Sequence, residues 1–259
     1  MILAIDIGNT HTVLGAFRGE KLLGEGRITS SVKRGVDELW PHVQLFCQES
    51  RIDFKKIKGV SISSVVPQLT ELFMTMTQKY FHVEPIVISG DMPDIGITVQ
   101  YDTPKLLGAD RLCNVVAAFD KFGGPAIVID LGTATTYDVV TKKGEYIGGV
   151  IAAGVETAAA GLSRRTARLP NVVLQFPRAL IGTTTIECIQ SGIMYGAIDA
   201  MEGMIRRLKA VIGRKSIVVA TGGFSQLVAG RSALVTHIEP SLVLQGARLI
   251  YQRTTQTRS

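Results

Sequence analysis

An apolar strand that ends in Asp-x-Gly occurs twice in this chain, and the repetition constrains the fold more than any other feature. The first copy is Ile2-Leu3-Ala4-Ile5-Asp6-Ile7-Gly8-Asn9-Thr10-His11-Thr12; the second is Ile127-Val128-Ile129-Asp130-Leu131-Gly132-Thr133-Ala134-Thr135-Thr136. Each run of β-formers buries a strand and delivers one carboxylate to its tip. The glycine two residues on lets the backbone approach a ligand closely. Asn9, Thr10 and Thr12, and in the copy Thr133, Thr135 and Thr136, supply neutral groups that can donate to phosphate oxygens. Two carboxylates facing a polyphosphate suit a bound cation. The following hairpin tip also recurs, Arg18-Gly19-Glu20 against Lys143-Gly144-Glu145 at nearly the same offset. A single Asp-x-Gly is usually only a turn. Two of them, after matching strands and before matching hairpins, imply an internal duplication and a two-lobed phosphate-binding fold.

The 259 residues are enough to bury a sizeable core, and 46% hydrophobic with 19% charged is an ordinary globular balance. The apolar residues lie in short pieces with no run of about eighteen, so no membrane span is expected. The N-terminus enters a strand directly, without a basic region or small-residue cleavage site, which argues against secretion. Cys47, Cys113 and Cys188 are odd in number and widely spaced, and read as core thiols of a reducing cytoplasm. The net charge of +6 and pI of 9.3 could suggest nucleic acid. Apart from Arg164-Arg165 with Arg168 and Arg206-Arg207 with Lys209, however, the basic residues are spread along the chain, as on solvated helix faces, so no nucleic-acid partner is expected; such a surface also attracts anionic small molecules.

The pattern in order begins with three antiparallel strands. A helix is expected over Val36 to Glu49, regular only after about Trp40 because Pro41 lacks an amide hydrogen. A strand from Lys58 to Val66 precedes a helix opened by Pro67, with Leu69, Leu72, Phe73, Met76 and Tyr80 as its core stripe. Another strand at Pro85 to Ser89 completes the first half. Gly90 to Gly108 is irregular, and a loop of that length is commonly functional. It leads into Gly108-Ala109-Asp110-Arg111 at a helix N-terminus, where unsatisfied amides favour an anion. The second half repeats the hairpins from Ala126 to Ile151 and passes through Gly148, Gly149 and Gly154 into helical residues 155 to 166. A long helix from about Thr185 to Ile212 has Thr184 and Glu187 spaced as a capping box. Its Gly192, Gly196, Ala197, Ala200 and Gly203 form a small-residue face for another helix, from the same chain or a second subunit. A strand from Ser216 to Ala220 ends in Thr221-Gly222-Gly223, where a flat base or ribose can lie on the backbone. Leu234 to Ile238 and a helix from Ser241 to Thr254 finish the chain. Neither a Walker motif nor GxGxxG occurs.

The order and spacing of these pieces resemble the acetate and sugar kinase, Hsp70 and actin superfamily, and within it the type III pantothenate kinases. The resemblance rests on Asp6-Ile7-Gly8-Asn9-Thr10, Tyr101 with Pro104, Gly108-Ala109-Asp110-Arg111, Asp130 to Thr136, Gly148-Gly149 with Ile151, Gly182 with Thr185, and Thr221-Gly222-Gly223. It implies an α/β fold of duplicated actin-like, ribonuclease H-like lobes, each a mixed sheet flanked by helices, with an ATP cleft between them. Residues 1–108 would form the N-terminal lobe and linker, and 109–259 the C-terminal lobe. The implied reaction is phosphorylation of pantothenate by ATP to 4'-phosphopantothenate, the first step of coenzyme A biosynthesis. In that reading Asp6, Ile7, Gly8, Asn9, Thr10, His11, Thr12 and Val13 bind the ATP phosphates and Thr133 adds a contact. Asp130 binds a monovalent cation, K+ or NH4+, used alongside Mg2+. Tyr101, Gly108, Ala109, Asp110, Arg111 and Thr185 hold pantothenate, with Asp110 as the catalytic base. A cytoplasmic homodimer is implied.

Three other readings stay open at this stage. They are a kinase for another small hydroxy acid or sugar, a transcriptional accessory or nucleic-acid-binding protein on the same fold, and a chaperone-like ATPase. The last is disfavoured because no residues remain for a client domain.

Overall fold

The computed structural model describes residues 1–166 and 168–257. It divides into two compact units, one of Met1–Lys121 with the C-terminal helix and one of Phe122–Ser241.

The first unit opens with β1 (Ile2–Ile7), β2 (His11–Arg18) and β3 (Lys21–Thr29), continues through α1 (Val36–Glu49), β4 (Gly59–Ser64), α2 (Pro67–Phe81) and β5 (Ile86–Val87), and includes the short β6 (Thr98–Val99), α3 (Ala109–Phe122) and the C-terminal α7 (Leu242–Thr257). The sheet order is β3-β2-β1-β4-β5. Strand β1 is antiparallel to β2 and parallel to β4, which sets Asp6 opposite Val13 on one side and Ser63 on the other. Alternation sorts β4 cleanly. Val60 and Ile62 join Leu3, Ile5, Ile7, Leu39, Val43, Phe46, Phe73 and Met76 in a core beneath α1 and α2. Each such side chain contributes on the order of 1.5–3 kcal/mol when fully buried. The opposite face of β4 carries only Gly59, Ser61 and Ser63, and α7 packs on β1 and β4. A β-carbon at Gly59 would collide with the Tyr251 ring.

Pro67 occupies the first helical turn of α2, as its spacing predicts. Pro41 is a correction: α1 is helical from Val36 onward and contains it. The Gly35 amide donates to Glu38 Oε2 at 3.0 Å and secures the first turn. Burial of Leu39, Val43 and Phe46, with Trp40 stacked on Tyr80 of α2 at 4.5 Å, outweighs the one amide that proline removes.

The second unit contains β7 (Ala126–Leu131), β8 (Ala134–Val140), β9 (Glu145–Ala153), α4 (Val155–Arg165), α5 (Thr185–Ile212), β10 (Ile217–Thr221), the one-turn α6 (Ser225–Val228) and β11 (His237–Ile238). Within it the strand order is β11-β10-β7-β8-β9. Strand β7 is antiparallel to β8 and parallel to β10, with Asp130 opposite Thr136 and Thr221. This is the topology of the first unit repeated. Helix α5 begins with the expected capping box: Glu187 N donates to Thr184 Oγ1, and Thr184 N donates to Glu187 Oε2, both at 3.2 Å. On its small-residue face, β-carbons added at Gly192, Gly196 or Gly203 would meet no atom within 4 Å.

The division at 108/109 expected from sequence differs from the one found. Helices α3 and α7 both group with the first unit. The cause is a set of distant contacts: Gly246 of α7 lies against the Cys113 backbone, and Arg253 donates to Asp120 Oδ1 at 2.6 Å and to the Ile95 carbonyl at 2.7 Å. Among the described residues, no helix is long and apolar enough to cross a membrane.

Candidate active site

The first Asp-x-Gly turn is built by β1, β2 and the end of β3. The Gly8 amide donates to the His11 carbonyl at 3.0 Å and closes a tight turn that leaves Asn9, Thr10 and His11 exposed. Ser30 clamps this turn from below. Its hydroxyl donates to the Gly8 carbonyl at 2.7 Å and its amide to the Thr10 carbonyl at 3.0 Å. Thr12 is 1% exposed, with its hydroxyl 3.0 Å from Ser30 Oγ. Thr12 therefore faces the clamp and supports the turn from inside. Ile7 is buried as well, and Val13 half-buried, so from these side chains the exposed polar groups are Asn9, Thr10 and His11.

Asp6 stands half-buried at the tip of β1, where Ser63 Oγ donates to its Oδ1 at 2.8 Å. Ser63 drew no attention in the sequence because it reads as an ordinary strand residue. The available signal was its place on a strand beside β1, a relationship that pairing creates and local sequence does not.

The stretch before α3 is folded back on itself. Gly90 lies so close to the Pro104 carbonyl that a β-carbon would collide with it, and Lys105 pairs with Asp91 at 3.4 Å. The buried side chains of Ile95 and Leu107 anchor it, while Tyr101 is 37% exposed. At its end the Arg111 amide donates to Asp110 Oδ1 at 2.8 Å, within the first turn of α3. Gly108 makes room: a β-carbon there would stand 2.5 Å from the same carboxylate oxygen. Ala109 and Arg111 are buried, Arg111 with 9% of its surface exposed.

Cys113 lies one turn beyond Asp110 along α3. Burial pushes the Cys113 thiol well above its ordinary pKa, and the Asp6 and Asp110 charges add to the effect while a hydrogen bond with Ser63 opposes it. Both carboxylates thus lie within electrostatic reach of the same buried sulfur. No sequence spacing connects them.

In the second unit the Gly132 amide donates to the Ala134 carbonyl at 3.0 Å, reproducing the Gly8 turn. Asp130 is half-buried and Thr133 exposed. Two glycines enclose this turn. Gly154 abuts the Gly132 and Thr133 carbonyls, and Gly222, at φ +89°, abuts Asp130 Oδ1. The Thr133 carbonyl accepts from Gly154 N at 3.2 Å and Thr157 Oγ1 at 2.6 Å. Thr185 is exposed at the start of α5, on the wall of an apolar cleft of 420 Å³ lined also by Leu162, Leu169, Cys188, Ile189 and Ile193. Cys188 is exposed, which corrects its expected place in the core; Cys47 and Cys113 are buried as expected.

Oxygen donors dominate both turns, as hard cations require. Among the described residues, no group of three or more His, Cys, Asp or Glu could hold a metal ion by itself.

Comparison with known proteins gives the family and the fold. The profile of the family described as Type III pantothenate kinase matches residues 2–207. A type III pantothenate kinase of Moorella thermoacetica is 43% identical over 255 residues, covering 98% of this chain and all of the relative. Among solved structures, a Campylobacter jejuni protein assigned to the Baf family of transcriptional activators aligns with a TM-score of 0.58 at 19% identity, covering 98% of this chain and 99% of that one. A ROK hexokinase from Thermus thermophilus aligns at 0.52 and 13% identity, covering 99% of each. Likeness at these identities shows the fold, the duplicated actin-like architecture, and carries no activity across.

Proposed function

The chain belongs to the type III pantothenate kinase family, and from that premise we propose how its residues phosphorylate pantothenate with ATP. The observation that carries the reading is a pair of carboxylates held by named donors, Asp6 at the first Asp-x-Gly turn by Ser63 and Asp110 in the first turn of α3 by the Arg111 amide. Such a pair lets one carboxylate serve the phosphates and the other the acceptor hydroxyl.

Phosphoryl transfer needs in-line positioning and charge neutralisation more than covalent chemistry. The Gly8 to His11 turn, held rigid by Ser30, presents Asn9, Thr10 and His11 to the ATP phosphates, with Asp6 beside them. Mg2+, when bound with ATP, neutralises phosphate charge. Asp130 and nearby oxygens of the second turn hold K+ or NH4+, and Thr133 contacts ATP. Asp110 accepts the proton of the pantothenate primary hydroxyl, a role worth roughly 10²- to 10⁴-fold in rate. The buried Arg111 pairs with an anionic group of a substrate. Tyr101 and Thr185 hold the rest of pantothenate. The uncovered small-residue face of α5 supports a homodimer, and the enzyme works in the cytoplasm.

A coupled ADP-release assay tests the reading. Turnover should require pantothenate and be stimulated by K+ or NH4+ over Na+. No pantothenate-dependent ADP release in any of these salts would overturn it.

A further inference from the structure

The two Asp-x-Gly turns are duplicates, yet their neighbouring strands treat them differently. In each unit the aspartate strand runs parallel to a strand that places a hydroxyl residue directly opposite, Ser63 beside Asp6 and Thr221 beside Asp130. Ser63 Oγ donates to Asp6 Oδ1 at 2.8 Å. Thr221 Oγ1 instead donates to the Pro240 carbonyl at 3.4 Å, and Gly222 abuts the Asp130 carboxylate. Ser63 is 0% exposed, so its hydroxyl has no competing water contact. It also sits on the face of β4 that otherwise carries only Gly59 and Ser61.

We infer that Ser63 is a positioning residue that fixes the Asp6 carboxylate for the magnesium–nucleotide complex. The inference rests on the assignment of Asp6 to the phosphates of ATP. The physical basis is direct. A hydrogen bond to an ionised group is worth about 1.5–3 kcal/mol, and a buried donor with one rotamer holds its acceptor at one angle. Loss of that bond removes one restraint on the angle of the Asp6 carboxylate, and the ordering it supplied must then come out of the binding of the charged ligand.

Calorimetric titration of Ser63→Ala, Ser63→Thr and Asp6→Ala with a non-hydrolysable ATP analogue and Mg2+, and separately with pantothenate, tests this. Ser63→Ala should weaken the magnesium–nucleotide complex about tenfold, leave pantothenate affinity within about twofold, and melt within a few degrees of the parent. Ser63→Thr, which keeps the hydroxyl, should recover most of the loss. In an Asp6→Ala background, Ser63→Ala should add less than about twofold, because its only route of action has been removed. Unchanged nucleotide affinity in Ser63→Ala, with Asp6→Ala weakened, would overturn the role of Ser63 and leave Asp6 in place. Unchanged affinity in Asp6→Ala would overturn the assignment beneath it. Equal weakening of both ligands with a large fall in melting temperature would mark Ser63 as a packing residue and also overturn the proposal.

Discussion

Gly222 is packed against Asp130 so closely that a β-carbon at position 222 would collide with the Asp130 carboxylate oxygen. Its φ of +89° lies where side-chain-bearing residues are strained. Gly222→Ala should therefore act twice. Backbone strain and displacement of Asp130 should lower stability by about 1–3 kcal/mol in urea denaturation. If Asp130 holds the monovalent cation, the K+ concentration for half-maximal activity should rise several-fold in the same variant.

Gly246 imposes a second close approach, this time between α7 and the carbonyl of Cys113 on α3. Gly246→Ala forces the two helices apart and should cost about 1–3 kcal/mol, the usual range for overpacking. Because α3 carries Asp110 on its first turn, kcat should fall in the folded fraction. Gly161 of α4 provides the contrast, since a β-carbon there meets nothing within 4 Å. Gly161→Ala should stabilise the protein by roughly 0.5–1 kcal/mol.

The Glu187 carboxylate accepts from the amides and hydroxyls of Thr183 and Thr184. These bonds, led by that of the Thr183 amide, hold its pKa below the ordinary 4.5. A carboxylate with a depressed folded pKa stabilises the fold above its unfolded value and loses that contribution as pH falls through the folded value. The cap of α5 should thus be fully effective above about pH 4.5 and weaken on further acidification. Glu187→Gln should reduce stability at pH 7 and make the acid limb of the stability curve shallower.

Thiol labelling should separate the cysteines. Burial pushes the Cys47 thiol up to about 11 and Cys113 well above its usual value, so neither supplies much thiolate at pH 8. Cys188 is exposed and should label first under native conditions; the other two should label only on unfolding.

What could be read from the chain alone follows a physical divide. The Asp6 and Asp130 turns, the first-turn Pro67 and the Thr184–Glu187 cap were legible because their chemistry is local, and each was found where its pattern placed it. The grouping of α3 and α7 with the first unit was not, because it depends on Gly246 meeting Cys113 and Arg253 meeting Asp120 across long stretches of chain. Pro41 misled because an isolated helix would break there, whereas burial of Leu39, Val43 and Phe46 sustains it. Thr12 has the composition of a phosphate ligand, but strand alternation turns it inward toward Ser30. Ser63 was invisible for the converse reason: only pairing with β1 gives its hydroxyl a partner.

The most direct measurement is a single-turnover rapid-quench assay of 4'-phosphopantothenate formation by Asp110→Asn, with ATP and pantothenate affinities measured in parallel. If Asp110 is the base, the chemical step should slow by roughly 10²- to 10⁴-fold while both ligands still bind. A variant that forms product at the parental rate would contradict the account.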